Sequence, residues 1–271
     1  MTCAARPKRL VEDRPLALPL AGPQAYADKM KRISAYFRPE SIGEAFALLD
    51  GPGAVLIGGG TKLNGRLSSE PMSVVDLQLA GLGGIERFDT GTLRIGATTT
   101  LQQLVDCEEV PAIVREAARR ELPSTLRAQS TLGGTIVSAD RESELLVALL
   151  VHDAEVFVAR PEGTEKMGLE VLLAHLPLAS HEIVTAVAID TGGSASVART
   201  ARTSADKPIV VAAARVGADG RRRLALAGVA STPVLAEETD EFDPPGDFRG
   251  SGEYRRALAG VLVSRAIEGV S

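Results

Sequence analysis

The chain has 271 residues, 45% of them hydrophobic and 24% charged, enough for one large domain or two to three small ones packed together. Thirty basic side chains against 35 acidic ones give a formal charge of -5, which argues against a nucleic-acid backbone as the main partner, because that requires clustered positive charge. No run reaches the roughly 18 uninterrupted apolar residues of a membrane span, and two cysteines, Cys3 and Cys107, are too few for a disulfide framework or for the thiolates of an iron–sulfur cluster.

The first segment, PKRLVEDRPLALPLAGP, lacks the basic start, apolar centre and small-residue cleavage site of a signal peptide, so a cytoplasmic protein is expected. Residues 1–29 carry Pro7, Pro15, Pro19 and Pro23 without a sustained period and read as an extension or an arm against a neighbour. RPESIGEAFALLD then predicts a short amphipathic helix, with a capping-type serine at Ser41 and an apolar face at Ile42, Ala45, Phe46 and Leu49. After the turn signal Gly51-Pro52-Gly53, AVLIG has the unbroken apolar character of a strand buried on both faces, and three successive glycines end it. A helical turn through Leu63 and Leu67 and a strand around Ser73–Leu77 complete a strand, helix, strand unit, which places a parallel pair side by side and occupies residues 30–84.

A larger α+β unit is expected over residues 85–176. It begins with two short alternating runs flanking Asp89-Thr90-Gly91, a hairpin signal. TLQQLVDC, VPAIVREAARREL and RESELLVALLVHD have helical spacing, the last opening at Asp140, and AEVFVAR returns to strand. Between them, STLRAQSTLGGTIVSAD is polar and glycine-containing, with no helical or strand period of its own.

Over residues 177–271, EIVTAVAI, ASVARTA, KPIVVAAARV and RRLALAGVA read as successive strands of an antiparallel sheet, with Arg221, Arg222 and Arg223 at the rim of a hairpin. EETDEFDPPGDF is most simply an exposed loop. EYRRALAGVLVSRAIEG predicts a closing helix with Ser251 as N-cap and Leu258, Val261, Leu262 and Ala266 on one face.

The common hydrolytic signatures are missing: there is no G-x-S-x-G, no H-E-x-x-H, and His152, His175 and His181 lack metal-site spacing. The triple glycine Gly58-Gly59-Gly60 is not a P-loop, since Thr61 intervenes before Lys62, and it lacks the G-x-G-x-x-G spacing. Read alone it is either a tight turn or a cradle in which backbone N–H groups approach an anion, the turn being the simpler reading. Ser130 to Thr135 offers the same chemistry, with paired glycines, hydroxyl side chains and free N–H groups, and two such loops could grip both phosphates of a dinucleotide. Asp140 and Glu144 near the following helix start serve either as caps or as ligand contacts.

At these residues the chain resembles a known family. AVLIGGGTKL, LRAQSTLGGTIVSADRESELLVALLVHDAEV and EYRRALAGVLVSRAI, in that order, resemble the FAD-binding medium subunit of molybdenum hydroxylases of the xanthine and carbon monoxide dehydrogenase type. The resemblance implies an α+β fold of the non-Rossmann, PCMH-like kind: a small βαβ unit, a larger α+β unit and a C-terminal three-stranded sheet with helices. It implies that Leu56 and Ile57 lead into a wrap around the FAD pyrophosphate made by Gly58, Gly59, Gly60, Thr61, Lys62 and Leu63. Ser130, Thr131, Gly133, Gly134 and Thr135 would meet it from the other side, with Leu126 and Ser138 near the cofactor.

Four positions depart from the family pattern. Thr135 stands for an asparagine, and Glu144 for an aspartate expected at the flavin's ribityl chain. Val197 and Arg199 stand where the family often has an aromatic and a lysine. The resemblance further implies no catalytic residue and no metal site in this chain. It implies a partner large subunit holding the molybdenum cofactor, a small subunit holding [2Fe-2S] clusters, a dimer of heterotrimers, and an acceptor such as NAD or a quinone. A subunit that keeps the fold but has lost FAD, serving only to dock its partners, is the alternative.

Overall fold

The computed structural model describes residues 33–62, 71–87, 91–203 and 206–270. The expected arm at 1–29, the helical turn through Leu63 and Leu67, and Asp89 and Thr90 of the hairpin lie outside them.

The small unit is a parallel sheet of three strands, β1 (Ile33–Phe37), β2 (Ala54–Ile57) and β3 (Met72–Asp76), in the order β1-β3-β2. Helix α1 (Ile42–Leu49) joins β1 to β2. It starts at Ser41, whose hydroxyl accepts from Glu44 N at 3.2 Å, while the Glu44 carboxylate reaches back to Glu40 N at 2.8 Å. The first satisfies an orphan first-turn donor, and the second ties down the residue before the cap. Ala45 of α1 packs with Val75, Leu77 and Ile183. Residues 54–57 and 73–76 pair side by side in parallel, as the sequence predicts, with Ala54 opposite Ser73 and Ile57 opposite Asp76. Strand β2 is half-buried along its length and not buried on both faces, because it stands at the sheet edge against a cavity. Strand β1 gives no sequence signal. Its pattern is mostly exposed, and it is held through its ladder to β3 and by Tyr36 Oη donating to Asp76 at 2.6 Å.

The larger unit is an antiparallel sheet of five strands: β4 (Ile85–Arg87), β5 (Thr92–Gly96), β6 (Glu155–Arg160), β7 (Gly163–Gly168) and β8 (Ile183–Asp190), in the order β4-β5-β8-β6-β7. Strand β8, expected in the C-terminal sheet, lies at the centre of this one, between β5 and β6. The helices are α2 (Leu101–Asp106), α3 (Ala112–Glu121), α4 (Ser124–Arg127), α5 (Leu132–Ser138), α6 (Glu144–Val151) and α7 (Leu169–His175).

Two of these helices, α4 and α5, fall in the connection expected to have no period. The glycines hide α5 from a propensity reading, yet Leu132 and Ile136 are fully buried on one side, and Thr131 Oγ1 caps it by accepting from Gly134 N at 3.2 Å. Helix α6 opens at Ser143 and not at Asp140. Asp140 forms a turn of its own, accepting from Glu142 N at 3.1 Å.

The last unit is an antiparallel sheet of four strands where three were implied: β9 (Ser194–Thr200), β10 (Val210–Val216), β11 (Arg222–Ala227) and β12 (Val234–Ala236), in the order β12-β11-β10-β9. Alternate residues of β10 and β11 face opposite cores. Val211, Ala213, Ala225 and Ala227 join the large core that includes α6, and Val210, Ala212, Ala214, Leu224 and Leu226 meet the closing helix α8 (Gly252–Glu268). The period of two along each strand therefore serves two helices at once. Ser251 caps α8 as predicted, accepting from Tyr254 N at 3.1 Å. The buried stripe of α8 is Arg255, Ala259, Leu262 and Ala266, with Leu258 packed beside it; of the predicted face only Val261, 49% exposed, points away.

Candidate functional site

The first glycine loop leaves the end of β2 and packs on the segment preceding α5. Ser130 Oγ donates to Thr61 Oγ1 at 2.9 Å. A Cβ at Gly59 would collide with the Gln129 carbonyl, and one at Gly58 with Thr131 Oγ1. Gly60 has φ +67°, in the left-handed region. Among the described residues the backbone N–H groups of Gly59, Gly60 and Thr61 donate to no protein acceptor.

The second loop is built differently. Leu132 N donates to Thr99 O at 2.9 Å, Gly133 N to Ala97 O at 2.9 Å, and Gly134 N to Thr131 Oγ1. The free N–H groups expected here are thus committed to the protein. Gly133 is glycine because a Cβ would meet Ala97 at 2.9 Å, whereas a Cβ at Gly134 would meet only Thr131 Oγ1, at 3.0 Å. The Thr135 hydroxyl donates to Thr131 O at 3.0 Å and that of Ser138 to Gly134 O at 2.6 Å, leaving their oxygens as acceptors.

Both loops line one cavity of about 650 Å³, within the size range of small-molecule and cofactor sites. Leu56, Ile57, Gly58, Gly59, Gly60, Thr61 and Lys62 form part of one wall; Ser130, Thr131, Gly133, Gly134, Thr135 and Ser138 form part of another. Leu63 lies outside the described residues. Three charged residues that sequence reasoning passed over also face the cavity: Glu121, Glu182 and Lys207. Each is charged on an otherwise unremarkable stretch, and only the tertiary fold brings them to the wall. Lys207 Nζ pairs with Asp140, and Lys62 Nζ stands 3.9 Å from the same carboxylate. Burial opposes the Asp140 charge, but the Lys207 bond and the two ammonium charges hold its pKa below the ordinary value. Glu182 is engaged by Arg160 at 2.6 Å and by Ala179 N at 2.9 Å, the latter bond leading the forces that lower its pKa.

Leu126, Glu144 and Arg199 are not brought to this cavity. Leu126 is 40% exposed on α4, and its carbonyl accepts from Ser130 N at 2.8 Å, so it supports the second loop through its backbone. Glu144 points away, toward Arg199 Nε at 2.7 Å and Arg120 at 3.6 Å, beside a void of about 10 Å³ that Val197 also lines. Burial pushes the Glu144 pKa up against the pull of the two guanidiniums. The cause is register: with α6 opening at Ser143, its first residue turns back onto α3 and β9. His152, at the end of α6, is buried with Nδ1 2.7 Å from Asp190 O, in a structural position.

A small parallel unit and a larger mixed unit, with a C-terminal sheet and helix, make up a PCMH-type α+β architecture. Residues 25–190 match the family model described as "FAD binding domain in molybdopterin dehydrogenase". The chain is 32% identical to Escherichia coli YgfM over 251 residues, covering 86% of this chain and 94% of that protein. It is 28% identical to the carbon monoxide dehydrogenase medium chain of Afipia carboxidovorans, covering 86% and 95%. A chain of carbon monoxide dehydrogenase from Hydrogenophaga pseudoflava superposes with a TM-score of 0.79 at 24% identity, covering 88% of this chain and 97% of that one, a likeness of fold. The chain belongs to the PCMH-fold family of FAD-binding medium subunits of molybdenum hydroxylases. No helix among the described residues is long and apolar enough to cross a membrane.

Proposed function

We propose that this chain binds FAD in the cavity between its two glycine loops and serves as the electron outlet of a cytoplasmic molybdenum hydroxylase complex. It would receive electrons from the [2Fe-2S] clusters of a small subunit, with the molybdenum cofactor held by a large one, and deliver them to an acceptor such as NAD or a quinone. A dimer of such heterotrimers is the proposed assembly. The observation that carries the reading is the convergence, on one cavity, of the uncommitted N–H groups of Gly59, Gly60 and Thr61 with the ammonium groups of Lys62 and Lys207.

These donors and charges suit a diphosphate. The second loop offers a rigid surface and, at Thr135 and Ser138, hydroxyl oxygens that accept. Bound flavin would supply exchange of one or two electrons, while the protein supplies position and electrostatics. No acid–base pair is required of this chain.

A docking subunit without FAD is the second reading, favoured by the turning away of Glu144 and Arg199 from the cavity. A visible spectrum of the purified complex separates the two: flavin absorbance, with FAD released on denaturation, is expected. A colourless protein from which no FAD is released would overturn the electron-transfer reading in favour of docking. Mass analysis of the copurifying subunits tests the proposed partners.

A further inference from the structure

Glu121 ends α3 with only 8% of its surface exposed, yet it lines the cavity. Among the described residues both hydrogen bonds to its carboxylate fall on Oε2, from Ser143 Oγ at 2.9 Å and from Leu145 N at 3.4 Å. Oε1 accepts none there, and no cation lies within ion-pair distance, Lys207 attracting the carboxylate only from farther off and too weakly to offset its burial, in contrast to Asp140, Glu142, Glu144 and Glu182. A carboxylate desolvated in this way is costly unless something answers its charge. Capping of α6 uses only Oε2, which takes Leu145 N while Ser143 Oγ accepts from Leu146 N at 3.2 Å. The packing of the chain thus leaves half of this carboxylate without a use.

A negative group at this wall repels the diphosphate that Lys62 and Lys207 attract. It is instead an acceptor for the uncharged donors of the same ligand, and in a flavin dinucleotide the densest run of these is the ribityl hydroxyls. We propose that Glu121 is the carboxylate that accepts hydrogen bonds from the polyol chain of the bound dinucleotide, the position that the sequence resemblance gives to Glu144. This inference rests on the FAD reading above. It makes Glu121 a binding residue that selects for a hydroxyl-rich linker.

Calorimetric titration of the full apoprotein tests it, using wild type and Glu121→Gln with three ligands: FAD, an FAD analogue lacking the ribityl hydroxyls, and ADP. Glu121→Gln is expected to weaken FAD binding about ten-fold or more, the usual scale for a charged hydrogen bond, while ADP binds as before or more tightly, since repulsion of its diphosphate is relieved. Wild type is expected to discriminate against the dehydroxylated analogue, and the variant to lose most of that discrimination. Equal losses for FAD and ADP would make Glu121 a structural residue and overturn the proposal, as would unchanged FAD affinity. A wild type that binds ADP but not FAD would overturn the FAD reading itself, and this proposal with it.

Discussion

The two glycine loops look interchangeable in the sequence and are opposites in the structure. In the first, the amides of Gly59, Gly60 and Thr61 are uncommitted, and the glycines allow the loop to lie directly on the backbone of Gln129 and Ser130. In the second, the amides of Leu132, Gly133 and Gly134 are spent on Thr99, Ala97 and Thr131, and a Cβ at Gly134 has a single close neighbour, Thr131 Oγ1 at 3.0 Å. A glycine pair therefore does not by itself announce a donor site. What decides is where the neighbouring N–H groups already go. Here one loop is a donor wall, the other a braced platform, and the two touch where they line one cavity.

The largest expected effect breaks that contact. Gly59→Val puts a side chain into the Gln129 carbonyl and should cost about 3 kcal/mol or more in urea unfolding, with loss of flavin, as overpacking against backbone does. Wild-type stability in this variant would mean that the loops do not abut. Gly134→Val tests the platform. Its Cβ meets only a threonine hydroxyl at 3.0 Å, and valine is the better helix former, so stability should change by less than about 1 kcal/mol. FAD affinity should nonetheless fall about ten-fold or more as the face fills. Full flavin binding by this variant would remove the second loop from the site.

The donor wall is sharpened by Lys207→Met, which keeps the apolar stem and removes the charge. FAD binding should weaken about three- to ten-fold, with a shallower dependence on salt. An unchanged salt dependence would show that Lys207 serves Asp140 alone.

Much of this was legible in the sequence. The strand, triple glycine and parallel strand stand where predicted, Ser41 and Ser251 cap their helices, and both loops reach one cavity. What was not legible has physical reasons. Strand β7, GTEKMG, is a polar edge strand whose side chains carry little contrast. Strand β8, IVTAVAID, is an almost unbroken apolar run buried along its length, which marks it as a strand but not which sheet it joins. Helix α5 is held by tertiary burial of Leu132 and Ile136 against its own glycines. Glu144 was expected at the cavity because its position in the motif fits. A helix start three residues later than read aims it at Arg199, and Glu121, from another helix, faces the cavity. In α8 Leu258, Leu262 and Ala266 face the core as predicted, and what was missed is a buried arginine, invisible to a count of apolar residues.

That arginine supplies the smallest prediction, which concerns what braces the second loop. Arg255 is fully buried, donates to the carbonyls of Ile209 and Gly228, and pairs with Asp247 at 2.7 Å and Glu142 at 3.4 Å. Gly228 N in turn donates to Arg141 O at 2.7 Å, so the cluster ties the turn after α5 to the C-terminal unit. The Arg255 bond holds the Asp247 carboxyl down at about 2. Its folded value is thus below the ordinary one near 4, so its contribution is present above about pH 4 and is lost as pH falls toward 2. Asp247→Asn should cost about 1 kcal/mol in urea unfolding at pH 7, since Glu142 still pairs with Arg255, and the gap to wild type should close as pH drops to about 2. FAD affinity should stay within about two-fold, because the bonds that brace the second loop run to Ala97 and Thr99 and not to this cluster. A larger loss of FAD would mean that the platform is held from the C-terminal side, and the contrast between the two loops would have to be redrawn around Arg141 and Glu142.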